Sequence, residues 1–134
     1  MNNQSEIAVA FAAALDAEDY AAAERLLAGD CRYDAPQGEI IGPAEIIASY
    51  RRSGDAAHRV FDEVDFRHEI GAEADGGCTI RYLDYVTLAG TTHTHRCEQV
   101  VRSVDGKIVH IVHQDIPGER ESLRAFVRSA TAEE

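Results

Sequence analysis

Residues 91–115, TTHTHRCEQVVRSVDGKIVHIVHQD, separate cleanly by parity. The odd positions of the first half are Thr91, His93, His95, Cys97, Gln99 and Val101, while the even ones include Arg96, Glu98 and Arg102. Successive strand side chains point to opposite faces. The charged even set therefore meets water or a partner, and the odd set, with two imidazoles and a thiol, points inward. Asp105-Gly106 supplies the positive φ that a tight hairpin needs. The strand after it, residues 108–116, sets Val109, Ile111, His113 and Asp115 on one face. So polar an interior costs free energy unless its groups are hydrogen-bonded or hydrated. That predicts a pocket.

The same parity runs back through the chain. In residues 59–70 the even positions Val60, Asp62, Val64, Phe66, His68 and Ile70 read as inward and the charged odd ones as outward. In residues 78–88 the inward face is Cys78, Ile80, Tyr82, Asp84, Val86 and Leu88. Asp75-Gly76-Gly77 and Ala89-Gly90 are turns. Before the sheet come three helices. Ser5 is placed to cap the first, whose apolar positions Ile7, Phe11, Ala14 and Leu15 keep the helical period. The second covers residues 19–28 and stops at Gly29, after a corner at residues 16–19. A short strand at 31–35 pairs with residues 39–41, and Gly42-Pro43 opens a third helix with Ile46, Ile47 and Tyr50 inward, closed by Gly54. A last helix over 119–129 offers Leu123, Phe126 and Val127 to an open end of the sheet, and residues 131–134 form a frayed tail. Helices followed by strands read as α+β. The expectation is one domain over residues 1–134, a strongly curved antiparallel sheet wrapped around the N-terminal helices as a cone.

With 134 residues the chain needs no covalent staples. A net charge of −11 argues against nucleic acid and against anionic membrane surfaces. No apolar run reaches membrane-spanning length, and MNNQSEIAVAF has neither the charged start nor the cleavage site of a secretory leader. Cys31, Cys78 and Cys97 are odd in number and far apart, which suggests reduced thiols and a cytoplasmic setting.

The inward polar groups are the chemical candidates. His95 or His113 can act as a general acid–base when an acid orients the ring, and Asp84 and Asp115 are the candidate orienters. Each histidine also has a plainer reading as a buried, hydrogen-bonded core residue. Tyr82 is either a donor to a developing oxyanion or a core aromatic. His93-x-His95 has a spacing that can chelate a metal, with His113 or Asp84 completing the set. No second metal motif accompanies it, so no metal is assigned. Cys97 beside His95 is read as a small inward residue rather than a nucleophile. His110, with Leu83, Tyr85 and Val100, falls on the outer face and suits a homodimer contact.

Three stretches, FAAALDAEDYAAAERLLAGD (11–30), YDAPQGEIIGPAEIIASY (33–50) and VDGKIVHIVHQD (104–115), make the chain resemble the nuclear transport factor 2-like superfamily. That superfamily includes SnoaL-like polyketide cyclases, ketosteroid isomerases, limonene epoxide hydrolases and scytalone dehydratases. The resemblance covers nearly the whole chain and implies a cystatin-like cone. The tyrosine and aspartate of ketosteroid isomerases fall on Phe11 and Ala35, and the hydrolase relay falls on Tyr82, Ile80 and His113, so neither set is present. Scytalone dehydratase is closer in chemistry: its helix-corner aspartate matches Asp16, and a histidine before its third strand matches His58.

The resemblance implies a cofactor-free lyase or isomerase, whether dehydratase, cyclase or keto–enol isomerase, acting on a small, largely apolar carbonyl or hydroxyl compound. In this reading His113 or His95 moves the proton, Asp84 orients the imidazole, and Tyr82 with Tyr33 polarises the substrate oxygen. Asp16, His58, Phe11, Phe66, Cys97 and Asp115 are the expected substrate contacts. The alternative is a non-catalytic module of the same fold that binds a small ligand or a partner protein.

Overall fold

The computed structural model describes residues 4–74 and 76–132. The leading helices are α1 (Gln4–Asp16), α2 (Tyr20–Arg25) and α3 (Pro43–Val60), with strands β1 (Leu27–Ala35) and β2 (Gly38–Ile41) lying between the second and third. Then follow β3 (Glu63–Ala74), β4 (Gly77–Leu88), β5 (Thr91–Val104), β6 (Lys107–Asp115) and α4 (Glu119–Thr131). Asp75 of the expected turn, the last two residues of the expected tail and the first three residues of the stretch read for a leader lie outside the described residues. Thr131 belongs to α4 rather than to a tail.

The fold is the α+β cone: helices on one side of an open six-stranded sheet of order β2-β1-β6-β5-β4-β3. Its neighbours are antiparallel except β1 and β6, which run parallel, so the sheet is mixed. The chain leaves β1 and returns beside it only after β2, α3 and the whole meander, a crossover long enough to bring parallel strands together. α1 packs on β3, β4 and β5, and α3 packs on β1, β2 and β3. Phe11, Ile46, Ile80, Ile108 and Ile111 between these layers are fully buried.

Local signals moved several boundaries. Leu27 already pairs with Ile108, so β1 takes over two residues before the glycine expected to end α2. Gly54 does not stop α3, which runs on to Val60. Val60 is therefore helical and half exposed instead of inward. Gly54 is there for space. A Cβ at this position would stand 2.7 Å from the Tyr20 hydroxyl oxygen, so glycine lets α2 and α3 approach. Asp62 lies just before β3 and accepts a 3.1 Å bond from the Ala89 N–H, holding the β4–β5 turn instead of facing the core.

Bulges displace the simple alternation in two places. Arg102 pairs with His110 but Ser103 with Ile108, which leaves Val109 unpaired on β6. Ile108 and Ile111 are both fully buried as a result, and Val109 is not the inward residue its parity suggested. In β3 the register slips between Ile70 and Glu73. Glu73 then pairs with inward Cys78 and reaches α1, where its carboxylate accepts a 2.9 Å bond from the Ser5 N–H. Helix α1 thus begins on a carboxylate from β3, not on the Ser5 side chain, an arrangement the helix dipole favours.

Gly54→Val is expected to lower stability by about 1–3 kcal/mol through overpacking against Tyr20. Thermal melts of Gly54→Ala in wild-type and Tyr20→Phe backgrounds check the cause. The cost should shrink once the hydroxyl is gone.

Candidate active site

Strand register stacks the inward residues of the sheet in rows. The deepest row is Cys78, Val101 and Ile111, with Tyr33 beside it on β1. Above it come Ile70, Ile80, Gln99 and His113, then His68, Tyr82, Cys97 and Asp115. The outermost polar row is Phe66, Asp84 and His95. The sheet is thus apolar at its floor and polar toward its mouth. A cavity of about 190 Å³ opens over the middle rows, lined by Asp16, Tyr33, Tyr50, Phe66, Tyr82, Asp84, Cys97, Gln99 and His113 among others.

Gln99 holds the floor of this cavity together. It is 3% exposed. Its amide oxygen accepts from the Tyr50 hydroxyl at 2.5 Å. Its amide nitrogen donates to the Tyr33 hydroxyl at 3.3 Å and to His113 Nδ1 at 3.2 Å. His113 Nδ1 is then an acceptor, so the ring proton sits on Nε2 and is donated to Asp115 Oδ1 at 3.0 Å. Arg120 lies 3.2 Å from the other oxygen of Asp115. Burial raises the Tyr33 hydroxyl to about 12 and the Cys97 thiol also to about 12. Both stay protonated at neutral pH.

Two carboxyls share the other side of the cavity. Asp16, at the end of α1, takes a 2.5 Å bond from His68 Nδ1. Burial raises its pKa and the histidine works against that rise. Asp84 has no hydrogen-bond or ionic partner among the described residues. Burial, with the nearby Asp16 charge pushing the same way, lifts its carboxyl to about 6. Two residues earlier on the same face, the Tyr82 hydroxyl is buried with no hydrogen-bond partner, and burial holds its pKa well above the usual value. A proton acceptor that titrates close to neutrality and an unused hydroxyl donor therefore line the same cavity.

Of the residues expected at the site, Asp84, Tyr82, His113, Tyr33, Asp16, Phe66 and Cys97 line the cavity. The others lie elsewhere. Asp84 makes no bond to either histidine, and the partner that orients His113 is Asp115. Asp115 itself lies outside the lining and is turned toward Arg120. His95 faces a second chamber with its Nδ1 buried and unbonded, 4.0 Å from Glu119. Burial lowers its pKa. Phe11 is fully buried core, edge-on to Tyr50 and not at the cavity. His58 lies near the end of α3, which extends past Gly54; it is bonded to Glu18 at 2.9 Å and sits edge-on to Phe66 at 5.9 Å between ring centroids, so it backs a lining residue without lining the cavity itself. His93 stacks on Phe126 of α4 at 5.0 Å between ring centroids. Among the described residues no group of three His, Cys, Asp or Glu side chains is placed to hold a metal ion. His110 bonds Asp34 at 2.7 Å on the outer side.

The residues that sequence reasoning passed over are Gln99 and Tyr50. Gln99 was legible as inward from its parity, but an amide between a cysteine and a valine gives no chemical signal. Tyr50 read correctly as part of the inward stripe of α3. That its hydroxyl reaches across to β5 depends on packing alone.

The family model of the SnoaL-like domain matches residues 8–111. No curated protein matches the chain in sequence. Among solved structures the chain is similar to TerC co-crystallised with polyporic acid, at 16% identity over 95% of this chain and 99% of that one, with a TM-score of 0.68. It is similar to a candidate polyketide cyclase from Xanthomonas campestris pv. campestris, at 18% identity, 93% and 96% coverage and a TM-score of 0.67. It is also similar to AclR, a candidate hydroxylase from Streptomyces galilaeus, at 14% identity, 95% and 96% coverage and a TM-score of 0.69. At these identities the likeness is one of fold.

Asp84 also bears on stability. Its folded pKa lies above the unfolded value, so its contribution is most favourable below about pH 4 and is lost as pH rises through about 6. Asp84→Asn should therefore stabilise the protein at pH 7.5, by on the order of 1–2 kcal/mol. Paired melts from pH 4 to pH 8 check this. The gap between variant and wild type should close toward pH 4.

Proposed function

The chain belongs to the SnoaL-like domain family, and from that premise we propose that it is a lyase or isomerase that moves a proton on a small, largely apolar carbonyl or hydroxyl compound. The observation that carries the reading is the unpartnered Asp84 carboxyl, raised to about 6, next to the buried and unpartnered Tyr82 hydroxyl on the same strand face. Residues i and i+2 of a strand are roughly 6.6 Å apart. Both side chains leave neighbouring inward positions for the same cavity, so one enolisable unit can meet the two of them.

Ionised Asp84 removes the proton from the carbon next to the carbonyl. The electron pair moves onto the carbonyl oxygen, where the Tyr82 O–H stabilises the developing enolate. Collapse of the enolate either returns the proton from Asp84 to the γ-carbon when a β,γ-double bond extends the enolate, an isomerisation, or expels a β-hydroxyl that takes the Asp84 proton and leaves as water. Asp84 is thus the proton carrier, not the orienter of a histidine. His113, with both ring nitrogens occupied, acts through Gln99 as a positioning residue for Tyr33 and Tyr50. Asp16 accepts a hydrogen bond from His68, and its charge raises Asp84 rather than competing with it.

The same proposal includes a homodimer through the outer sheet face around Leu83, Tyr85 and Val100, and a reducing, cytoplasmic setting in keeping with three free cysteines. No helix among the described residues is long and apolar enough to cross a membrane.

The test follows deuterium exchange and water loss by NMR in a panel of β,γ-unsaturated cyclic ketones and β-hydroxy-ketones. For the responsive substrate, kcat/KM should rise about tenfold per pH unit below 6 and flatten above it, because the ionised base is the active form. Asp84→Asn should remove at least about 100-fold of the rate and with it the acidic limb. Tyr82→Phe should lower kcat by about 10- to 100-fold with that limb kept. Exchange that survives Asp84→Asn with an unchanged pH profile would rule out the assignment.

A further inference from the structure

The polar cone is small. At about 190 Å³ it falls below the roughly 300–1,000 Å³ usual for small-molecule sites. A second chamber of about 520 Å³ lies between the C-terminal half of α3, the ends of β4 and β5, and the inner side of α4. Its walls are apolar: Ala56, Val60, Phe61, Val86, Leu123 and Val127. Ser53, Ala57 and Asp84 line both spaces, so the two meet at the Asp84 carboxyl. A molecule reacting at Asp84 with its polar end in the cone has this chamber for the rest of it.

The chamber carries a charge signature of its own. The chain has a net charge of −11, yet α4 places Arg120, Arg124 and Arg128 four residues apart along one side. Arg120 is taken by Asp115, and Arg124 lies 3.6 Å from Glu121. Arg128 has no ionic partner among the described residues. Arg124 and Arg128 both border the chamber, which also holds His95 with its buried, unbonded Nδ1. The α4 helix buries none of its own residues. An apolar hollow with guanidinium groups at its edge, on an otherwise acidic protein, selects an apolar chain that ends in an anion and disfavours one that ends in a cation.

We propose that this chamber binds an apolar arm of the ligand that terminates in a carboxylate, with the arm under α4 and the carboxylate at Arg124 and Arg128. The proposal rests on the Asp84 reading for the position of the reacting end. Occupancy of the chamber is tested separately from turnover.

Calorimetry with hexanoate, octanoate and decanoate, each against the alkanol and alkylamine of equal length at pH 7.5, reads the site directly. Affinity should climb about fourfold per buried methylene. The carboxylate should bind about two- to fivefold tighter than the alkanol, the scale of an exposed ion pair, and the amine weakest of the three. Arg128→Glu should erase the carboxylate preference. Ala56→Phe and Val127→Trp fill the chamber from opposite walls, and either one that melts normally should weaken decanoate at least tenfold. Tyr82→Phe, which lines only the cone, should leave decanoate binding unchanged. Decanoate binding no tighter than decanol, or undiminished in folded chamber-filling variants, overturns the proposal. Selective decanoate binding by a protein that exchanges no ketone upholds the chamber and removes the Asp84 reaction instead.

Discussion

One side-chain amide has to be satisfied in the middle of this protein, and much of the site follows from how that is done. Gln99 is nearly wholly buried at the centre of the sheet, where each unpaired polar atom would cost about 1–3 kcal/mol. It takes one bond from Tyr50 and gives two, to Tyr33 and His113. Those three partners come from α3, β1 and β6, so a single amide ties a helix and two strands to β5. It also decides chemistry. By donating to His113 Nδ1 it sends the ring proton toward Asp115 and takes that imidazole out of the pool of free bases.

What remains free is then set by solvation. The cavity contains two aspartates, and only one has a partner. Asp16 lies beside the His68 N–H, while Asp84 faces the opening with none. Burial acts on both, and the contact to His68 separates them. Two like carboxyls with different surroundings acquire different duties. The histidines that make the sequence look catalytic end up elsewhere: one locked, one stacked on α4, one facing the second chamber.

Strand parity makes the sheet legible in the sequence itself. The inward residues from Cys78 to Val86 on β4 and from His93 to Val101 on β5 follow the alternation, because it comes from backbone geometry and the charges on the opposite face mark the phase, whereas Thr91 at the start of β5 is exposed. Parity misled at Val109, where a one-residue slip changes the phase and leaves no mark in a run of valine and isoleucine. Gly54 was a different failure. A glycine that ends a helix and a glycine that makes room for a neighbour look alike in sequence, and only the Tyr20 hydroxyl 2.7 Å from the missing Cβ tells them apart. The parallel pairing of β1 with β6 and the extension of α3 past Gly54 were hidden for a related reason. Each depends on partners more than fifty residues away or on the adjacent helix, not on local pattern.

The unpaired Val109 has a lasting effect on how this chain can diverge. The slip lies between the hairpin tip and the pocket residues of β6, whose phase is held by their own pairing, Ile111 with Val101 and His113 with Gln99. Residues 104–107 can be exchanged, or the loop lengthened, without transmitting a change of face to Ile111 and His113. The tip is thereby a region in which drift is cheap and the cavity-lining end of the same strand is left in place. Among relatives, length variation should gather on the far side of that extra valine.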